Sequence, residues 1–197
     1  MNYPNKKKII NENYIYYGKR GMNLEDDINS SKWESAEIKQ YCNKYYLDND
    51  IAVIYKKPTP IKVVKVDYNK RINTKITEAY YEIPSTTDYN GIYKGKYIDF
   101  EAKETKSKTS FSLNNIHKHQ IDHLIKVKNH GGISFLIIRF TTINKTFLLE
   151  TQKLEEFLYN NERKSIPLSY INDNGYLINE NYNPRLEYIK IVDEIMI

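Results

Sequence analysis

The chain has 197 residues, 30 Lys and Arg against 25 Asp and Glu, 40% apolar and 28% charged residues, and one cysteine, Cys42. That is the size and composition of one soluble globular domain, or one with an appendage, and a lone cysteine excludes an intrachain disulfide. No run of 18 apolar residues is present, and Lys6, Lys7 and Lys8 lead into Asn11, Glu12 and Asn13 rather than an apolar stretch. Neither a membrane helix nor a signal peptide is therefore expected, and the chain reads as cytoplasmic with no membrane partner. The excess of +5 is modest, so where the charge lies matters more than its sum.

Residues 1–13 are polar and basic and read as a flexible arm, either simply disordered or in contact with DNA. A single domain is expected over 14–197. Gly18-Lys19-Arg20-Gly21 is a basic turn. Asn23 then offers a helix N-cap, and Leu24, Ile28, Trp33, Ile38, Tyr41, Tyr45 and Leu47 recur at roughly helical spacing, broken near Asn29-Ser30-Ser31. Ile51-Ala52-Val53-Ile54-Tyr55 is the short apolar run of a buried strand.

The segment 56–85 is different in kind. Lys56-Lys57-Pro58-Thr59-Pro60 is a rigid break, Ile61 to Tyr68 partly alternates as an exposed strand does, and Ala79 to Ile83 can pair back on it. Between Lys56 and Glu82 lie seven basic residues (Lys56, Lys57, Lys62, Lys65, Lys70, Arg71, Lys75) against three acids. A basic, aromatic-bearing ribbon suits DNA phosphates; an edge hairpin kept soluble by lysine is the plainer alternative.

Asn90-Gly91 carries a hairpin signal just after Asp88. Lys96 to Lys103 alternates like a strand, Leu113 to Asn129 is a helical segment stopped by Gly131-Gly132, and Ile133 to Phe140 is a strongly buried strand. Phe147-Leu148-Leu149 continues the sheet, Leu154 to Leu158 begins another helix, and the chain from Lys164 onward is loop-rich. This order predicts an α/β fold.

On a strand, Asp99, Glu101 and Lys103 share one face while Phe100 and Ala102 point to the other. Two acids beside a core are costly unless compensated, and a magnesium ion, with its demand for oxygen ligands, compensates them. Asp88 can return beside Glu101 through the hairpin. An acid, about a dozen residues, then acid-x-Lys is the pattern of metal-dependent phosphodiester hydrolysis, in which the cation activates water and the lysine orients it or neutralises charge. An exposed strand carrying a cross-face ion pair has the same pattern. His119 and His123 stand four apart on one helix face, but no Glu occupies the zinc-protease position between them and no cysteine is near. Gln120 is a neutral ligand, a water holder or a surface residue; Glu25, with Asp26, either complements the helix dipole or approaches the metal.

Several longer stretches resemble one family in order and spacing. They are Tyr17-Gly18-Lys19-Arg20-Gly21-Met22, Lys57-Pro58-Thr59-Pro60-Ile61, Pro84-Ser85-Thr86-Thr87-Asp88-Tyr89-Asn90-Gly91 and Tyr97-Ile98-Asp99-Phe100-Glu101-Ala102-Lys103-Glu104-Thr105. His119-Gln120, Gly131-Gly132-Ile133, Arg163-Lys164-Ser165-Ile166-Pro167 and Pro184-Arg185-Leu186 extend the likeness over nearly the whole chain from about residue 14. The chain resembles the RecU family of Holliday junction resolvases, within the PD-(D/E)xK nucleases.

The resemblance implies a restriction-endonuclease-like core, a mixed central sheet flanked by helices, with a protruding basic stalk over 56–85. It implies a homodimer that nicks four-way DNA junctions symmetrically with Mg²⁺, or Mn²⁺ in its place, in recombination and repair. Its metal positions fall on Thr86, Asp88, Glu101 and Gln120, and its transition-state lysine on Lys103. RecA recombinase and branch-migration helicase are implied partners, in a nucleoid-associated setting. Thr87 stands where the broader class has proline before the acid, which is normal for this family. From these residues we expect Asp88, Glu101 and Lys103 to be catalytic and Asp99 to support them. Lys19, Arg20, Lys56, Lys57, Lys62, Lys65 and Arg71 are expected on DNA. A sequence-specific duplex endonuclease on the same fold and a non-catalytic junction-binding protein are the alternatives.

Overall fold

The computed structural model describes residues 42–68, 74–82 and 86–195. The expected basic arm and most of the first helical segment lie outside these residues. The described residues belong to two compact units, one holding those between 58 and 84, the other those in 42–57 and 85–195.

The second unit is built on a six-stranded sheet in the order β1-β4-β5-β7-β8-β10. Its strands are β1 (Val53–Lys56), β4 (Tyr89–Tyr93), β5 (Lys96–Thr105), β7 (Ile133–Phe140), β8 (Lys145–Glu150) and β10 (Tyr176–Leu177). Among the described residues five α-helices accompany them: α1 (Lys44–Asp48), α2 (Lys118–Asn129), α3 (Thr151–Asn160), α4 (Leu168–Asn174) and α5 (Tyr188–Ile195). β6 (Ser110–Ser112) pairs with β9 (Ser165–Pro167) as a small separate ribbon. Among the described strands only β5 and β7 pair in parallel, and α2 fills the long connection that a parallel pair requires. A mixed sheet flanked by helices is the α/β core expected.

β5 is central because it is amphipathic in an unusual sense. Its even positions, Ile98, Phe100 and Ala102, have no exposure and face one core. Phe100 stacks between Tyr89 and Phe135, each ring centroid 4.8 Å away, and Tyr188 of α5 tilts against it at 5.3 Å. Such pairs add about 0.5–1.5 kcal/mol each beyond area burial. Burial holds the Tyr188 phenol well above the ordinary tyrosine range, so it stays a donor, to Asn43 Oδ1 at 2.7 Å. β7 is apolar on both faces: Phe135 and Ile137 join this first core, while Leu136, Ile138 and Phe140 join a second under α2, α3 and α4. This is why its sequence reads as a continuous apolar run.

Two expectations are corrected. Asn90-Gly91 does not turn; it lies inside β4, and the two-residue β4–β5 turn is Lys94-Gly95, with φ of 46° and 77°. Gly91 serves a different need, because a Cβ there would stand 2.0 Å from the Val53 carbonyl oxygen and 2.7 Å from Ile54 Cα. β1 passes too close to allow any side chain. The region after Lys164 is not loop-rich: it holds α4 and α5, and α5 buries Tyr188, Ile189, Ile191 and Val192 in the first core.

The other unit contains β2 (Ile61–Asp67) and β3 (Lys75–Tyr81), paired antiparallel as expected. The register slips by one at Val64 and back by one at Thr77, so two opposite bulges cancel. Lys62 and Lys65 are exposed on it, together with Val63, Val64, Tyr80 and Tyr81.

Replacing Gly91 with Ala is expected to cost roughly 2–4 kcal/mol, since the clash is with backbone that cannot rotate away. Urea denaturation of the purified variant checks this, and wild-type stability would contradict the close approach.

Candidate functional site

The odd positions of β5 carry the chemistry. Tyr97, Asp99, Glu101 and Lys103 lie on the face opposite Phe100, and strand register sets them beside known positions of β4: Tyr97 pairs with Ile92 and Asp99 with Asn90. The ladder continues past the end of β4. Asp88 N–H donates to Glu101 Oε2 at 3.1 Å, and Lys57 N–H donates to the Asp88 carbonyl at 2.7 Å. Lys57, Asp88 and Glu101 therefore form one row across β1, β4 and β5.

Asp99 and Glu101 have no solvent exposure. Asp99 is surrounded by donors. Thr87 Oγ1 donates to Oδ1; at Oδ2 stand Lys57 Nζ at 2.9 Å, the Tyr97 hydroxyl at 2.7 Å and His123 Nε2 at 3.2 Å. Lys57 Nζ also reaches Thr87 Oγ1 at 3.0 Å and Thr86 Oγ1 at 3.4 Å. Desolvation of the hydroxyl, and then its bond to Asp99, hold the Tyr97 phenol above the ordinary tyrosine value, so it remains a donor at neutral pH.

Glu101 is held differently. Lys103 Nζ lies 2.8 Å from Oε1, and Gln120 Nε2 donates to Oε2 at 2.7 Å. Gln120 comes from the first turn of α2, where its own Oε1 accepts the His117 N–H at 3.0 Å and so caps the helix. Gln120, His123 and Leu124 lie on one side of α2, three and four residues apart. Leu124 packs into the second core, and this directs Gln120 and His123 at the carboxylates of β5.

The structure thus brings Thr86, Asp88, Asp99, Glu101, Lys103 and Gln120 together. Glu25, Lys19, Arg20 and Arg71 lie outside the described residues. Lys57, expected on DNA phosphates, instead turns inward to Asp99, with its side chain 21% exposed. Lys56 lies over the Tyr89 ring at 5.6 Å from the centroid. The histidines do not form a zinc pair: His123 goes to Asp99, while His119 stacks on His117. Thr87, Tyr97 and the inward Lys57 were missed in the sequence, although alternation marks two of them: Tyr97 continues the Asp99-Glu101-Lys103 face, and Lys57 continues that of Val53 and Tyr55.

Among the described residues no three His, Cys, Asp or Glu side chains converge as a ligand cluster. A cation here would be held by two carboxylates and neutral oxygens, and the donors present fit a hard cation of that kind. Asp88 and Glu101 stem from one hydrogen-bonded position, and Thr86 lies two residues before Asp88. Counted formally, Lys57 and Lys103 against Asp88, Asp99 and Glu101 leave the pocket one negative charge, which suits a divalent ion. Asp99 is a poor ligand because four donors already take both of its oxygens. Gln120 as it stands turns its amide N–H to Glu101 and commits its oxygen to the helix.

Comparison with known proteins agrees with the sequence reading. The family model described as recombination protein U matches residues 19–194. The Holliday junction resolvase RecU of Staphylococcus aureus strain JH9 is 48% identical over 212 aligned positions, covering 100% of this chain and 97% of the relative. The protein of the same name from strain MRSA252 matches to the same extent. Among solved structures, Hjc of Archaeoglobus fulgidus, a Holliday junction resolvase from an archaeal hyperthermophile, aligns over 47% of this chain and 70% of its own at 16% identity, with a TM-score of 0.34.

Replacing Lys103 with Met keeps the stem and removes the charge beside Glu101. Because Lys103 is 24% exposed, the expected loss is about 1–3 kcal/mol, below that of breaking a fully buried pair. Adding Glu101→Gln should recover much of it. A double-mutant cycle in urea reads the coupling, and a value under about 0.5 kcal/mol would remove the pair from the account.

Proposed function

The chain belongs to the RecU family, and on that premise we propose that it is a Holliday junction resolvase: a metal-dependent endonuclease that nicks four-way DNA junctions symmetrically during recombination and repair. The observation that carries the chemistry is the pairing of Asp88 with Glu101 across β4 and β5, with Lys103 two residues further along the same face. Thr86, Asp88, Glu101 and Gln120 are the residues proposed to hold Mg²⁺, with Mn²⁺ as a substitute. Bound there, the ion supplies a more acidic water and a polarised phosphate.

The chain's own groups do the rest. Glu101 contributes a carboxylate whose direction is set by Gln120 and by the Asp88 N–H. Gln120 joins the cation only if its oxygen leaves the His117 N–H; otherwise it acts by holding Glu101. Lys103 balances Glu101 and stands where it can orient water or meet charge on the phosphate. Lys62 and Lys65, exposed on the β2–β3 hairpin, bind phosphates, as do Lys56, Lys19, Arg20 and Arg71. The unit over 14–197 is then the nuclease domain, the segment 56–85 its DNA-binding insertion, and residues 1–13 an arm. Paired nicks call for two active sites related by a two-fold axis, hence a homodimer. A recombinase of the RecA type and a branch-migration helicase are partners that this role would use, in the cytoplasm at the nucleoid. None of the described helices is long and apolar enough to cross a membrane.

The test compares a synthetic four-way junction with a matched linear duplex, in Mg²⁺ or EDTA, for the wild type and Asp88→Ala. Paired nicks on the junction alone are expected, lost in EDTA. In Asp88→Ala they should fall by more than the roughly 10–100-fold typical of losing an outer partner of a metal ligand. Cutting of the linear duplex at fixed sites would favour a sequence-specific nuclease, and tight binding without cutting a scaffold. In a separate titration, Lys62→Ala and Lys65→Ala should each lower the slope of log affinity against log salt by about one. An unchanged slope would take the hairpin out of phosphate binding.

A further inference from the structure

Thr87 separates the two bend residues proposed as cation ligands, Thr86 and Asp88. It is 2% exposed, and its hydroxyl donates to Asp99 Oδ1. Asp99 in turn gathers donors from four parts of the chain: the residue after β1 (Lys57), the 86–88 bend (Thr87), β5 itself (Tyr97) and α2 (His123). A carboxylate facing four donors competes poorly for a cation. It is a fixed point, tied to the sheet and to α2, to which the bend is fastened.

The bend needs such a point. Asp88 precedes β4, so its position rests on two main-chain bonds: its carbonyl accepts from Lys57 N, and its N–H donates to Glu101 Oε2. The second of these uses the carboxylate that the proposed cation would share. The fastening through Thr87 and Lys57 to Asp99 draws on no proposed ligand oxygen except Thr86 Oγ1, 3.4 Å from Lys57 Nζ. Hydrogen bonds to a charged acceptor are about twice as strong as neutral ones, and ligand geometry must hold within roughly 0.5 Å.

We propose that Asp99, through Thr87 and Lys57, anchors the 86–88 bend and so sets Asp88 against Glu101, making these three positioning residues for the cation site. This rests on the resolvase reading for the identity of the ligands. It gives Lys57 a role distinct from the basic residues beside it in sequence, and it makes the support expected of Asp99 one of position.

The test uses DNA-free, metal-stripped protein and Mn²⁺, with free Mn²⁺ followed by electron paramagnetic resonance. The variants are Thr87→Val, which keeps the shape and loses the hydroxyl, Thr87→Ser, which restores it, and Asp88→Ala. Thr87→Val is expected to weaken Mn²⁺ binding about 10–100-fold, and to raise the Mg²⁺ needed for half-maximal junction cutting by a similar factor. Thr87→Ser should return both to within about threefold of the wild type. Wild-type Mn²⁺ affinity in Thr87→Val, or failure of Thr87→Ser to rescue, overturns the anchor. If Thr87→Val does not melt cooperatively, Lys57→Met carries the same expectation, and wild-type affinity there overturns it equally. Asp88→Ala separates the two readings. Loss of Mn²⁺ binding in Asp88→Ala alone sinks only the anchor, whereas wild-type binding in Asp88→Ala sinks the ligand assignment and the anchor with it.

Discussion

Two carboxylates without solvent exposure, Asp99 and Glu101, stand two residues apart on one face of β5. An ionised carboxylate stripped of water costs several kcal/mol even after relaxation, unless donors replace the water. Much of the neighbourhood follows from meeting that requirement. Lys57, Thr87, Tyr97 and His123 meet it for Asp99; Lys103, Gln120 and the Asp88 N–H meet it for Glu101. These partners come from the residue after β1, the bend before β4, β5 and α2, so the requirement ties four segments together at one place.

The opposite face of β5 makes this affordable. Phe100 is locked between Tyr89 and Phe135, and β4 and β7 are joined to β5 by registered ladders. A strand held on its apolar side cannot rotate to bring its acids to water. Removing a partner therefore leaves a buried charge exposed to a low dielectric rather than to solvent, and the loss is felt as stability or as geometry. Exposed lysines such as Lys62 and Lys65 act in the opposite regime, where salt screens them and little folding energy is at stake. The buried carboxylates and the phosphate binding proposed for the hairpin thus rest on separable energetics within one chain.

What the sequence made legible was whatever depends on a short period. Alternation put Asp99, Glu101 and Lys103 on one face and Phe100 and Ala102 on the other, and the apolar run at 133–140 identified β7. The β2–β3 pairing followed from the same rule. What depends on approach between distant segments was not legible. Asn90-Gly91 has turn chemistry, but Gly91 is there because β1 leaves no room for a Cβ. Lys57 sits in a run of basic residues before two prolines, and nothing local separates it from Lys56. Residues 188–195 fill little more than two helical turns, shorter than the window over which a helical pattern can be told from a strand, although α5 closes the core over Phe100.

The residue before Asp88, Thr87, joins the bend to the buried carboxylate. Proline before Asp88 would stiffen the bend by fixing its own φ. Thr87 has no such ring. Its hydroxyl is held instead by a hydrogen bond to the buried Asp99, a carboxylate that Lys57 and its other donors compensate. On the anchor proposed above, bonding in place of ring constraint calls on Asp99 of β5 and on Lys57 beside it.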